Sequence, residues 1–157
     1  MSAGASIQDL VRSISLNTSD DAFAPTLTPQ QWEILGNYMQ PVELLAGQAL
    51  IEPGALDQTL FFVESGALSV HVMNKAGQVR MIILNPGAVV GEGAFFSHLP
   101  RVATAAATGA CRMWRMSAIR FLEMAQRQPG LTLEFTLALG AVIAKRMANR
   151  SRRVAVT

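Results

Sequence analysis

Two charged residues at a fixed spacing carry most of the chemistry that this sequence can support. Glu92 and Arg101 lie nine positions apart in the stretch GEGAFFSHLPRVATAAA, which spans residues 91–107. Only 15% of the chain is charged, below the usual quarter, so an acid and a base held close together are a distinctive feature. The pair indicates a site for a small polyanion.

The residues between the pair favour the same interpretation. Ala94, Phe95 and Phe96 are expected to form a single helical turn, whose first backbone N–H groups have no internal partner and therefore suit an anion. Arg101 offers a planar fork of donors that matches a phosphate. Glu92 only accepts hydrogen bonds when ionised, so it suits a sugar hydroxyl. A phosphate and a hydroxyl at fixed separation describe a nucleotide.

The composition excludes several other classes of protein. No apolar run reaches the roughly 18 residues of a transmembrane helix, and the N-terminus does not resemble a signal peptide. Cys111 is the single cysteine, so neither a disulfide framework nor a zinc knuckle is expected, and a cytoplasmic location follows. His71 and His98 have no second ligand at a useful spacing, so we expect no metal site. No nucleophile–base arrangement is evident, so we expect no enzymatic activity.

The centre of the chain must supply a rigid frame for the pair. Short strand-like runs separated by glycine-containing turns predict a sandwich or closed roll of strands, with NKAGQ at the tip of a hairpin. These runs are VELLAGQALIEPG, TLFFVESGALSVHVM, QVRMIIL, AVVGE, RVATAAAT and CRMWRM.

Helical spacing flanks the strands on both sides. Thr28 is the predicted N-cap of a helix that contains Trp32, and Ser117 caps another that stops at residues 129–130. A longer helix is expected over residues 131–153. Its C-terminal end is basic, with Lys145, Arg146, Arg150, Arg152 and Arg153, which is typical of a solvated helix end.

The long helix carries two apolar stripes, and a helix docked on one side needs only one. We call one the roll-facing stripe, formed by Phe135, Leu139 and Val142. We call the other the outer stripe, formed by Leu133, Leu137, Gly140, Ala144 and Met147. The second stripe predicts a homodimer through the helix at residues 131–153.

Residues 91–104 resemble the phosphate-binding cassette of cyclic nucleotide-binding domains, which occur in regulatory subunits of cyclic-AMP-dependent kinase, in gated channels and in catabolite activator-type regulators. The matching pattern is Gly-Glu, a short variable run and then Arg-x-Ala-Thr. The resemblance extends from about residue 27 to about residue 154. It implies a mainly β fold with flanking helices, a β-roll (double-stranded jelly roll) followed by a long C-terminal helix. Residues 1–26 would be a helical or loop extension, and residues 27–157 the binding domain with its dimerisation helix.

The resemblance also implies roles for individual residues. Arg101 would bind the exocyclic oxygens of the cyclic phosphate, and Glu92 would accept from the ribose 2′-hydroxyl. The N–H groups of Gly93 and Ala94, after Gly91, would complete the phosphate cradle. The remaining cassette positions are Val102, Ala103 and Thr104. The expected walls around sugar and base are Met81, Val89 and Val90, and Arg150 or Ser151 of the long helix would reach the base.

Two positions depart from the family pattern. Gly93 replaces a larger apolar residue, which implies a looser cradle. Val102 lies where members selective for cyclic GMP often have Thr or Ser, so cyclic AMP is favoured. The expected ligand is thus a cyclic mononucleotide, with no cofactor.

Three functions remain in competition at this level. The first is a sensing module that signals through its C-terminal helix, and the second is the sensor half of a transcription regulator whose helix-turn-helix is not found before residue 157. The third is a degenerate cassette that acts as a dimeric interaction module.

Overall fold

The computed structural model describes residues 6–156, with side chains described as far as residue 149. Within these described residues, eight strands form two four-stranded antiparallel sheets, and five helices flank them, which confirms the predicted fold class. The strands are β1 Gln40–Leu44, β2 Ala49–Ile51, β3 Leu60–Ser65, β4 Leu68–Met73, β5 Val79–Leu84, β6 Val89–Val90, β7 Ala103–Ala107 and β8 Cys111–Met116. The helices are α1 Ile7–Leu16, α2 Pro29–Gly36, α3 Glu92–Ser97, α4 Ala118–Arg127 and α5 Pro129–Val156.

The order of strands brings distant parts of the chain together. One sheet has the order β1-β8-β3-β6 and the other β2-β7-β4-β5. The predicted hairpin between β4 and β5 is confirmed, with its tip at residues 74–78. Because β7 and β6 lie in different sheets, the segment between β6 and β7 crosses from one sheet to the other, and this segment carries Glu92 and Arg101.

Strand β3 lies at the centre of the domain, buried on both faces. Leu60 and Phe62 pack with the helices, whereas Phe61 and Val63 pack in the space between the two sheets. Successive side chains of a strand point to opposite faces, so a strand covered on both sides reads as a continuous apolar run. This explains the uninterrupted LFFV of the sequence.

Two of the helices begin where the sequence predicts. Thr28 accepts from the N–H of Gln31, whose side chain in turn accepts from the N–H of Thr28, and this capping box starts α2. Ser117 caps α4. The last helix begins at Pro129, two residues before the predicted Leu131, because proline fits the first turn of a helix.

The two apolar stripes of α5 have different environments. Phe135, Leu139 and Val142 of the roll-facing stripe are fully buried. In the outer stripe, Leu133 is 58% exposed and Leu137 is 60% exposed, and the other three members are exposed as well. A single copy of the domain therefore leaves one stripe in water, as the sequence predicts.

Helix α1 packs into the same core as the helices that follow the roll. Its residues Ile7, Leu10 and Ile14 share a cluster with Phe62 and Phe135. Residues 6–26 thus contribute to the core of the domain. Among the described residues, no helix has the length and apolar character needed to cross a membrane.

Candidate functional site

The backbone turns sharply at Gly91, directly before α3. Gly91 has φ +88°, a left-handed conformation that side chains disfavour, and a Cβ there would lie 2.7 Å from Nη1 of Arg101. Since α3 begins at Glu92, the N–H groups of Glu92, Gly93 and Ala94 lie in its first turn, where helices have no internal acceptor for them. The glycine thus permits both an open helix start and the close approach of Arg101.

Arg101 is almost completely buried and firmly held. Its Nε and Nη2 donate to the two carboxylate oxygens of Asp57 at 3.3 and 2.8 Å. Nη2 also donates to the carbonyl oxygen of Thr59 at 2.6 Å, and Nη1 donates to that of Gly91 at 2.8 Å. A guanidinium has five N–H donors, and these contacts use four. The side chain is therefore held in a fixed position, with one Nη1 hydrogen outside these contacts.

Asp57 remains charged over most of the accessible pH range. Hydrogen bonds from Arg101 lower the pKa of Asp57 below its usual value, and this effect exceeds the opposing effect of burial. The pair between Asp57 and Arg101 is therefore ionic at neutral pH. Asp57 could not be identified from the sequence, because this residue is 44 positions from Arg101 and has no motif around it.

Glu92 is bound to a residue of the last helix. Arg146 of α5 donates from Nη1 to Oε1 of Glu92 at 2.7 Å and from Nη2 to the carbonyl oxygen of Val89 at 2.8 Å. Its Nε donates to Oδ2 of Asp21 at 3.1 Å. Burial alone lowers the pKa of Arg146, but the carboxylates of Glu92 and Asp21 raise it above its ordinary value. Arg146 is therefore a fixed cation that joins three segments of the chain.

From the sequence, Arg146 is expected only to lie in a solvated, basic helix end. One signal was available, since Arg146 follows Val142 by four positions and therefore shares the face of the roll-facing stripe. A charged residue on the buried face of a helix requires a partner of opposite charge. Asp21 carries no comparable signal, because the loop that contains it meets α5 only in the folded chain.

A cavity of about 940 Å³ lies beside Arg146 and its partner Asp21. Residues of β4 and β5 form its apolar wall, and α5 and the loop after α1 form a polar wall. The apolar residues include Val70, Val72, Ile82, Leu84 and Ala88, and the polar ones include Asn17, Ser19, Asp20, Asp21, Arg146 and Asn149. The combination of an apolar slot with polar groups along one side is typical of small-molecule sites.

The three residues expected to form walls around the sugar and the base lie in three different environments. Met81 pairs with His71, one position out of phase with the Val70–Ile82 pair, so it lies on the opposite face of the sheet. It is 57% exposed and does not line the cavity. Val89 is buried against the helices and Val90 between the sheets. Of these three expected wall residues, only Val89 contacts Arg146, whose Nη2 donates to the Val89 carbonyl oxygen.

The rest of the predicted cassette is partly open to solvent. Gly93 is exposed with open space around it, whereas Ala94 is buried. Val102 is 77% exposed, and Ala103 and Thr104 are half-buried on β7 opposite β4. The side chains of Arg150 and Ser151 lie outside the described residues. Among the described residues, no group of three His, Cys, Asp or Glu side chains is arranged to hold a metal ion.

Comparison with known proteins agrees with the resemblance of residues 91–104 and extends it over much of the chain. Residues 41–128 match the family model described as "Cyclic nucleotide-binding domain". The cAMP-dependent protein kinase regulatory subunit of Blastocladiella emersonii is 31% identical over 96 residues, which cover 60% of this chain and 24% of the relative. The chain thus spans about a quarter of the length of that protein.

Solved structures show that the fold is shared. A cyclic nucleotide-binding domain from Methylobacillus flagellatus KT aligns with a TM-score of 0.83 at 15% identity, over 95% of this chain and 82% of that chain. The catabolite activator protein of Thermus thermophilus aligns with a TM-score of 0.73 at 24% identity, over 83% of this chain and 60% of that chain.

Proposed function

The chain belongs to the cyclic nucleotide-binding domain family, and on this premise we propose that it is a sensor module that binds a cyclic mononucleotide. The observation that carries the proposal is the fixed position of Arg101 behind the open start of α3. Four hydrogen bonds hold the guanidinium with one Nη1 hydrogen left over, close to backbone N–H groups that have no helical acceptor. Such an arrangement is preorganised for a phosphate.

The remaining residues suit the rest of the ligand. Gly93 and Ala94 offer their N–H groups to the phosphate, and Glu92 retains the oxygen Oε2 for the ribose 2′-hydroxyl. Val70, Ile82 and Leu84 supply an apolar surface for the base. In this proposal Ile82 takes the place that the sequence assigns to Met81, because it is on the cavity side of β5.

We propose cyclic AMP as the preferred ligand. Val102 has no hydroxyl group with which to bind the amino group of guanine, in contrast to the Thr or Ser often found in cyclic-GMP-selective members of the family. The large exposed fraction of Val102 fits a position that makes no specific contact with the base.

Signalling in this proposal runs through α5. Arg146 is a polar contact between α5 and the cassette, so a change at Glu92 is felt directly by the helix. The outer stripe of the same helix is apolar and exposed, which supports a homodimer in which a second copy covers it. The single cysteine suits a reducing compartment, so we place this homodimer in the cytoplasm. The chain is then a regulatory module and not an enzyme.

Calorimetric titration tests the proposed function directly. We expect cyclic AMP to bind more tightly than cyclic GMP, and 5′-AMP, which lacks the cyclic phosphodiester, to bind weakest. At about 100 times its Kd, cyclic AMP should raise the free energy of unfolding by about 2.7 kcal/mol, measured as a shift in thermal unfolding. Absence of both heat and thermal shift with the two cyclic nucleotides would rule the proposal out.

A second experiment addresses Glu92. The 2′-deoxy analogue of cyclic AMP should bind about tenfold more weakly than cyclic AMP, because a hydrogen bond to a charged group contributes about 1.5–3 kcal/mol. In Glu92→Gln the difference between the two ligands should shrink, and in Glu43→Gln, which alters an exposed glutamate of β1, it should persist. If Glu92→Gln discriminates between the ligands as strongly as the wild type, Glu92 does not contact the ribose.

A further inference from the structure

The loop between α1 and α2, residues 17–28, forms a strap across the distal part of α5. Asp21 accepts from Nε of Arg146, and Asp20 accepts from Nδ2 of Asn149 at 3.2 Å. These contacts join residues more than 120 positions apart. All four side chains line the cavity, so the strap and α5 are held to each other at its polar wall.

The contact with Asp21 fixes Arg146 where it restricts access to Glu92. Arg146 lines the cavity, whereas Glu92 does not. Arg146 already donates to Oε1 of Glu92, and 21% of its side chain is exposed. A ligand that enters from the cavity therefore meets Arg146 before it meets Glu92. Any interaction that holds Arg146 in this position opposes ligand entry.

The ion-paired group around Arg101 and Arg146 has no surplus positive charge for an anion. Asp21, Asp57 and Glu92 supply three carboxylates to the guanidiniums of Arg101 and Arg146, which leaves one negative charge in excess. Asp57 is bound to Arg101, and Glu92 belongs to the cassette itself. Of the two carboxylates that bond Arg146, Asp21 is therefore the one from outside the cassette.

Two other cations, Lys75 and Arg80, line the cavity without joining this group. Both belong to the β4–β5 hairpin region, and neither forms an ion pair with a described residue of the group. Their positive charges attract an anion to the cavity, but Arg146 stays bound to its two carboxylates. The local restriction at Glu92 therefore depends on the contact between Arg146 and Asp21.

We propose that Asp21 is an autoinhibitory residue that holds Arg146 on Glu92 and thereby opposes binding of the ligand. This inference rests on the proposed function of the cassette. When the ligand binds with its phosphate at Arg101 and its ribose at Glu92, Arg146 separates from Asp21, and the strap is released from α5. Because coupling between two binding events is reciprocal, displacement of the strap raises ligand affinity by the same factor by which the ligand weakens the strap contact.

The test compares two isosteric variants by calorimetric titration with cyclic AMP. Asp21→Asn removes the charge that holds Arg146 and should tighten binding at least about fivefold, within the usual range of such coupling. Asp9→Asn removes an equal charge from an exposed residue of α1, away from the cavity, and should change the affinity less than twofold. Asp21→Glu keeps the charge and should bind like the wild type.

A measurement without ligand separates autoinhibition from a purely structural role. Asp21→Asn should unfold at a lower temperature than the wild type when no ligand is present, because an ion pair to α5 is lost. A structural role alone predicts this destabilisation with unchanged or weaker binding. Autoinhibition predicts destabilisation together with tighter binding, which is a combination that a merely loosened fold does not produce.

The outcomes for the two proposals are distinct. Binding by the wild type with an equal or weaker affinity for Asp21→Asn overturns the autoinhibitory role and leaves the proposed function intact. An equal gain in Asp9→Asn and Asp21→Asn also overturns it, since general charge would then be the cause. Failure of the wild type to bind overturns the proposed function and the autoinhibitory role with it.

Discussion

Replacement of Arg101 by glutamine is expected to weaken cyclic AMP binding about 30-fold or more. Truncating one partner of a buried, charged hydrogen-bonded pair typically costs about 2–5 kcal/mol, and each 1.4 kcal/mol is a factor of ten in affinity. Glutamine retains polarity but has neither the positive charge nor the planar fork of donors. The affinity should be measured by calorimetric titration of the folded variant.

The same change is expected to destabilise the domain, so folding must be measured alongside binding. Without the guanidinium, Asp57 loses its ionic partner, and the carbonyl oxygens of Thr59 and Gly91 lose their donors. Arg101→Lys provides a milder variant, since it keeps the charge while it loses the bidentate geometry. It should lie between the wild type and Arg101→Gln in affinity.

Arg115→Gln is the matched control for this experiment. Arg115 is an exposed arginine of β8 that bonds Gln40, and its loss removes the same charge without touching the cassette. It should bind cyclic AMP like the wild type. Affinity that is unchanged in folded Arg101→Gln and in Arg101→Lys would show that this guanidinium does not bind the phosphate.

The sequence predicts the architecture well because the signals for it are local. Thr28 and Ser117 mark helix starts through the identity of the capping residue, and each is confirmed by a side-chain hydrogen bond. The two stripes of α5 follow from helical spacing alone. The same spacing explains why Phe135 is buried and Leu137 is exposed. Such features depend on a few neighbouring residues, so no knowledge of the fold is needed.

The position of Met81 shows where local signals become ambiguous. The run Met81–Leu84 is apolar at every position, so the sequence does not reveal which alternate residues face the cavity. A shift of one residue in register moves every side chain of a strand to the opposite face. Only the pairing with β4, in which Val70 lies opposite Ile82, selects the face.

The partners of the charged residues are harder still to predict. Asp57, Arg146 and Asp21 each contact the cassette or its neighbours across more than forty positions of sequence. Their contacts result from the crossing of β6 to β7 between the sheets and from the docking of α5, and both are properties of the complete fold. The sequence thus predicts which residues could bind a nucleotide, but not which residues control access to them.

The change with the clearest effect on assembly is the introduction of charge into the outer stripe of α5. We expect the wild type to be a homodimer and the variant with Leu137→Glu and Ala144→Glu to be a folded monomer by light scattering. Both residues are exposed in the single chain, so the substitutions should leave the core intact. Each buried carboxylate would cost several kcal/mol at an apolar interface, enough to raise the dissociation constant by a factor of about 100 or more.

Leu45→Glu is the control for the effect of charge on an exposed leucine. Leu45 is 75% exposed and lies between β1 and β2, away from the outer stripe. This variant should remain a dimer. A wild type that stays monomeric at high micromolar concentration would contradict the dimer, and the outer stripe would then need another occupant.

A dimer through α5 would connect assembly with the ligand site, because the two faces of one helix serve both. The roll-facing stripe continues into Arg146, which bonds Glu92 and Asp21, while the outer stripe faces the second copy. A helix moves largely as a rigid body, so release of Arg146 by the ligand would displace the outer stripe as well. Ligand affinity should therefore differ between the dimer and the double glutamate monomer, and equal affinities in the two would separate assembly from sensing.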